Sequence, residues 1–217
     1  PAASPLVFIT GASSGIGQAL AWRYAQAGWR LVLVARRVEA MQDWARAHGL
    51  AQPQCLCLEA DVTDIESIVA AGQACLDRMG LPDVVVANAG ISTGVDTAFR
   101  EDLALIARTY AVNNVGMAAT FHPFVAPMVR RGSGRLVGIA SVAGIRGLPG
   151  HGAYCASKAA VISYCESLRG ELRGSGVKVV TVAPGYVDTP LTQRNRYPMP
   201  FLMQPDAFAV RANLEKD

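Results

Sequence analysis

The chain has 217 residues, 51% of them hydrophobic and 17% charged, with a net charge of +3. That balance favours a buried globular core over disorder, and basic residues scattered without a tract argue against a nucleic-acid partner. Five cysteines without framework spacing read as free thiols in a reducing compartment, and no apolar run reaches membrane-spanning length.

Residues 1–9 lack the charged start and long apolar stretch of a secretory signal, so a cytoplasmic protein is expected. An apolar run at 6–10 predicts the first strand. It leads directly into Gly11-Ala12-Ser13-Ser14-Gly15-Ile16-Gly17, and a helical pattern over 15–28 follows. Between a first strand and a first helix, such a loop is placed to cradle a pyrophosphate. Gly11 permits the tight turn, Gly15 lets the backbone approach the phosphates, and Gly17 lets helix and strand pack closely. The helix N-terminus contributes free N–H groups and its positive dipole end, and Ser13 and Ser14 add hydroxyl donors.

A second strand is predicted at 30–35. Arg36 and Arg37 come next, with guanidinium groups shaped for phosphate oxygens, or else simply solvated at the start of a helix over 38–48. The third strand, 54–60, contains Cys55 and Cys57. They lack the CxxC step of redox and metal sites and read as core packing. Asp61 follows, and Thr63 or Asp64 is as well suited to cap the helix expected over 64–79. The fourth strand, 83–88, runs into Asn88-Ala89-Gly90. One long helical pattern then covers 98–130 and includes Asn113 and Asn114.

A fifth strand at 134–141 ends on Ser141. The helix at 152–173 carries Tyr154 and Lys158, whose four-residue step puts both on one face. An ammonium beside a phenol favours the phenolate, so Lys158 is expected to lower the Tyr154 pKa from about 10 and make it a usable general acid or base. A sixth strand is predicted at 177–183. Beyond Asp188 the chain is rich in Pro, Met and aromatic residues without a period, until a short helix near 206–215.

The strands are nearly continuous Val/Ile/Leu runs, as in strands covered on both faces. Repeated β–α alternation predicts an α/β, doubly wound parallel sheet: one Rossmann-like domain over 1–217, with no linker or repeat. No residue cluster has metal-ligand spacing, and no metal is expected. His151, near Tyr154, reads as a loop histidine. His48 and His122 have no partner pattern, and Cys155 and Cys165 read as packing.

With Thr10 in front, the glycine loop resembles the T-G-x-x-x-G-x-G fingerprint of the short-chain dehydrogenase/reductase family. Further matches follow in the family's order from Leu6 to Thr189: Asp61, Asn88-Ala89-Gly90, Asn113 in Asn-x-x-Gly, Ser141, Tyr154-x-x-x-Lys158, and Pro184-Gly185 with Thr189. The resemblance implies an oxidoreductase that transfers a hydride between a nicotinamide and a carbonyl or secondary alcohol of an apolar small molecule. Tyr154 would exchange the proton, Ser141 would hydrogen-bond the reacting oxygen, and Lys158 would hold the nicotinamide ribose. Asn113 would position a water linking the lysine to solvent. A non-catalytic, cofactor-sensing module of the same fold is the alternative, which the intact set of four disfavours.

NAD-selecting members carry an acidic residue where this chain has Ala35. The arginine directly after it resembles NADP-preferring members, so NADP(H) is expected over NAD(H), with Arg36 at the 2′-phosphate and Arg37 as helper. The resemblance places Asp61 and Val62 at the adenine and Asn88, Ala89 and Gly90 beneath the cofactor. The remaining cofactor contacts would come from Ile16 in the glycine loop and from Pro184, Gly185, Val187 and Thr189. The family often has Asn where this chain has Ala87.

Substrate choice is expected from loops at 92–97 and 142–151 and from a lid over 186–205. This last segment carries Tyr186, Leu191, Tyr197, Met199, Phe201, Leu202 and Met203, which suit closure over an apolar substrate or, alternatively, an interface patch. The helices at 98–130 and 152–173 resemble those that pair subunits, so a homodimer or homotetramer is expected. The family's usual seventh strand has no apolar run here, which predicts six strands.

Overall fold

The computed structural model describes residues 4–193, 198–212 and 214; Tyr197 of the expected lid lies outside them. Strand β1 (Leu6–Thr10) is buried along its whole length, which only a strand covered on both faces allows. It pairs in parallel with β2 (Arg30–Ala35) on one side and β4 (Val84–Ala87) on the other. With β3 (Cys55–Glu59), β5 (Gly134–Ile139) and β6 (Val177–Val182) the six strands form one parallel sheet in the order β3-β2-β1-β4-β5-β6. The order reverses between β1 and β4, and ligands of such sheets bind outside the strand ends at that point.

Alternating strand residues feed two apolar layers. Val7, Ile9, Leu31 and Leu33 pack on one face against α1 (Gly15–Gln26), α2 (Val38–Ala47) and α7 (Pro205–Ala212). Leu6, Phe8, Val32 and Val34 pack on the other face against α3 (Ile65–Arg78), α5 (Gly116–Arg131) and α6 (Gly152–Glu171). Phe8 and Phe124 meet at the centre of this second layer with ring centroids 4.9 Å apart. Each such side chain, fully buried, contributes roughly 1.5–3 kcal/mol.

The long helical pattern over 98–130 is not one helix. Residues Asp102–Tyr110 form α4, Ala111–Val115 widen into a π turn, and α5 begins at Gly116. Pro123 and Pro127 stand inside α5. Tertiary packing outweighs their helix penalty: at Gly72 of α3 a Cβ would lie 2.5 Å from the Pro123 ring, so the proline fills a gap that glycine leaves. Asp64 caps α3, its carboxylate accepting from the N–H groups of Glu66 and Ser67. No helix among the described residues is long and apolar enough to cross a membrane.

Candidate active site

A cleft of about 320 Å³ opens over the strand ends at the reversal point. β1 leaves the sheet through Gly11, at φ +65°, where a Cβ would come within 2.8 Å of Ala89 Cα. At Gly17 a Cβ would sit 2.4 Å from the Gly11 carbonyl oxygen. Asn88 fixes this turn, its Nδ2 donating to the carbonyls of Thr10 (3.0 Å) and Gly11 (3.2 Å). Thr10 Oγ1 accepts in turn from the N–H groups of Asn88 (3.1 Å) and Ala89 (3.2 Å). Ser14, the N-cap of α1, makes no side-chain capping bond, so the first-turn N–H groups have no side-chain acceptor. The cradle fits a pyrophosphate: it offers bare backbone where any side chain would intrude.

Positive charge collects at the β2–β3 end. Arg36, Arg37 and Arg108 line the cleft, and Asp61 is the one acidic residue among the described residues lining it. Arg37 Nη2 donates to Ser13 Oγ at 3.3 Å. Asp61 Oδ1 accepts from Thr63 N–H (2.9 Å) and Thr63 Oγ1 (2.8 Å). Partial burial disfavours its charge, but the Thr63 bonds and the charges of Arg36 and Arg108 outweigh that and hold its pKa below the usual carboxylate value. Val62 is gripped by the start of α5: a Cβ on Gly116 would lie 2.8 Å from the Val62 carbonyl oxygen. The glycine of the Asn-x-x-Gly frame thus has a packing reason.

At the other end lie Ser141, Tyr154 and Lys158. Ser141 sits just past β5, between Ala140 and Val142, whose N–H groups reach Val182 O (2.7 Å) and Pro184 O (3.0 Å); the β5–β6 ladder therefore sets its position. Its Oγ accepts from Ala143 N–H at 3.1 Å. The short turn Val142–Gly144 then packs on α6, where a Cβ at Gly144 would approach the Lys158 carbonyl carbon to 2.8 Å. Ser141 and the tyrosine helix are held together by bare backbone contact.

Lys158 is 6% exposed, its Nζ donates to Ile139 O at 2.8 Å, and burial lowers its pKa to about 8. The same Nζ lies 5.8 Å from the Tyr154 ring centroid. The expected lowering of the Tyr154 pKa is not met. Burial raises it above the usual tyrosine value, a hydrogen bond with Ser141 offsets part of the rise, and Cys155 adds to it. Desolvation is the largest of these effects and sets the direction.

Asn113 lies beneath the cleft at 2% exposure. Its Oδ1 accepts from Ile91 N–H (2.9 Å), and its Nδ2 donates to Ile91 O (3.0 Å) and Ser157 Oγ (2.9 Å). The side-chain amide is therefore engaged with protein groups on both ends. Gly90 stands between this residue and Lys158: a Cβ there would lie 3.4 Å from both Asn113 Oδ1 and Lys158 Nζ.

Of the residues given a catalytic or cofactor-binding role in the sequence, all except Gly17 and Asn113 line this one cleft, and those two support it from behind. His151 does not line it. Cys55, Cys75, Cys155 and Cys165 are buried free thiols, as packing requires, and Cys57 is half-buried. Sequence reasoning missed Arg108, the Gly144 contact and the π turn. It also missed Thr192, whose Oγ1 donates to Val187 O (2.6 Å) and accepts from Thr189 N–H (3.0 Å), knotting the loop over Gly15.

The short chain dehydrogenase family model matches residues 5–199. The chain is 42% identical over 199 residues to an uncharacterized oxidoreductase of Myxococcus xanthus, spanning 90% of this chain and 77% of that one. It is 37% identical over 196 residues to 11-beta-hydroxysteroid dehydrogenase A of Sesamum indicum, with 90% of this chain but only 56% of the relative's length spanned. Among solved structures, an alcohol dehydrogenase from Thermococcus sibiricus complexed with 5-hydroxy-NADP superimposes with a TM-score of 0.85 at 30% identity, over 99% of this chain and 92% of that one.

Proposed function

Because the chain belongs to the short-chain dehydrogenase/reductase family, we propose that it is an NADP(H)-dependent oxidoreductase interconverting a carbonyl and a secondary alcohol on an apolar small molecule. The observation that carries this reading is one cleft with the glycine cradle and arginines at one end and Ser141, Tyr154 and Lys158 at the other. The nicotinamide supplies or takes up the hydride when bound.

The chain's own residues do the rest. The cradle at Gly11, Gly15 and Gly17 holds the pyrophosphate, and Arg36 and Arg37 hold a 2′-phosphate. Ser141 and Tyr154 hydrogen-bond the reacting oxygen, and Tyr154 gives or removes its proton. Lys158 reaches towards the ribose and lends positive charge beside the phenol. Asn113 is a positioning residue, fixing the helix that carries both.

Exposed Val142, Ile145 and Leu148 follow Ser141, and Leu191 lines the cleft mouth, which supports an apolar substrate beneath a lid over 186–205. Exposed Leu103, Tyr110, Val115 and Tyr164 on α4, the π turn and α6 support pairing of two chains there. Free cysteines favour a reducing, cytoplasmic setting for this single domain.

The test is NADPH and NADH oxidation against aldehydes, ketones and quinones, with Tyr154→Phe alongside. Turnover with NADPH that Tyr154→Phe abolishes is the expected result. A preference for NADH overturns the cofactor assignment, and turnover that survives Tyr154→Phe overturns the role of the tyrosine.

A further inference from the structure

Arg108 stands on α4, four residues before Val112, and both line the cleft. It therefore faces the same space as Arg36 and Arg37 but from a different wall: they follow β2, whereas Arg108 comes from the helix running into the π turn. Neither the Arg36 nor the Arg108 guanidinium has a hydrogen bond or ion pair among the described residues. Asp61, the only carboxylate among the described residues lining the cleft, has Oδ1 already taken by Thr63. Arginine late in a helix is ordinarily explained by the negative end of the helix dipole. That explanation fails here, because Ala111 keeps helical dihedrals and the chain continues through the π turn into α5 without an end.

Three guanidinium groups thus surround a space with one engaged carboxylate. A neutral ribose hydroxyl gives such an excess nothing to neutralise, whereas a phosphate monoester carries nearly two negative charges. We infer that Arg108 is the third arm of a clamp for the adenosine 2′-phosphate, reaching it from α4, a different element from the β2 end that carries Arg36. The inference rests on the NADP(H) reading above and adds to it a residue on another element. Desolvation of Asp61 is outweighed in part by the charges of both Arg36 and Arg108, so the two cations already act on a common point.

The test is calorimetric titration of NADPH, NADH and adenosine 2′,5′-bisphosphate into the wild type, Arg108→Gln, Arg108→Lys and Arg36→Gln. Arg108 is exposed, so the variants should keep the wild-type unfolding temperature without ligand. Arg108→Gln is expected to weaken NADPH and the bisphosphate about tenfold, as losing one charge-assisted contact does. It should leave NADH unchanged, and Arg108→Lys should recover part of the loss. Equal losses for NADPH and NADH would mean Arg108 holds the shared adenosine and would overturn the inference, as would no loss at all. A wild type that binds NADH more tightly than NADPH overturns the cofactor reading itself, which the other ratios cannot mimic.

Discussion

Asn113 Nδ2 donates to Ser157 Oγ across 2.9 Å, and Ser157 Oγ donates to the Tyr154 carbonyl at 2.7 Å. Through these two bonds the π turn holds the helix that bears Tyr154 and Lys158, while the same amide clasps Ile91 after β4. One buried side chain thus joins three elements around the cleft.

Replacing it should be costly. Asn113→Ala leaves the N–H and carbonyl of Ile91 without their partners, a loss of about 2–3 kcal/mol. Thermal unfolding should show the drop, and kcat should fall more than KM changes, since the residue positions Tyr154 and does not bind substrate. A kcat unchanged at temperatures where the variant is folded would remove Asn113 from the site's support.

The pH dependence of stability follows from Lys158. Its folded pKa, about 8, lies below that of a free lysine, so the unfolded chain binds more protons between about 8 and 10.5 and stability must rise with pH across that window. Below pH 8 both states are protonated and the burial cost is fully present. Denaturant unfolding of the wild type and Lys158→Met at pH 7.5 and 9 should show the wild type gaining about 1 kcal/mol relative to the variant. A difference that shrinks as pH rises would contradict the burial argument.

For Tyr154 the sign is the reverse. Burial keeps the phenol protonated past the ordinary tyrosine value, so the ultraviolet ionisation signal removed by Tyr154→Phe should appear only above pH 10 in the free protein. A component titrating below pH 9 would show that Lys158 dominates after all.

Two glycines, one packed against α6 and one within it, should respond in opposite directions. Gly144→Ala drives a Cβ to 2.8–2.9 Å from the α6 backbone at Lys158 and Ala159, parting Ser141 from Tyr154. The expected cost is about 1–3 kcal/mol with a large loss of kcat. Gly170 lies exposed within α6 with nothing near its Cβ position, and Gly170→Ala should stabilise by about 0.5–1 kcal/mol without touching turnover.

Where short-range pattern decides the structure, the sequence was a good guide. The strands at 6–10 and 30–35 lie as read, since a buried parallel strand needs only an apolar run, and the others differ by one or two residues at their ends. Most of the cleft residues were legible because they follow a strand or open a helix, as Gly11, Asp61, Asn88 and Ser141 do. The break at Ala111–Val115 was not, since a single π turn inside a long helical run carries no capping or breaker residue of its own. Arg108 was hidden too: on a helix surface its sequence context says nothing of the cleft beside it. The sign of the Tyr154 shift depends on desolvation, which exists only once the chain has folded around the phenol.

A parallel bridge joins Val187 to Met203, with Asp188 N–H on Met203 O (2.8 Å) and Met203 N–H on Tyr186 O (2.9 Å). Downstream, Phe208 and Ala209 of α7 are buried in the layer of α1, and the Leu214 carbonyl accepts from both Tyr24 Oη (3.0 Å) and Arg135 Nη1 (2.8 Å). The segment from Met203 to Leu214 is consequently fastened by noncovalent contacts at both of its ends. A protease nick between Asp188 and Met203 would leave two fragments that migrate as one particle on a native sizing column and part only when the sheet itself unfolds.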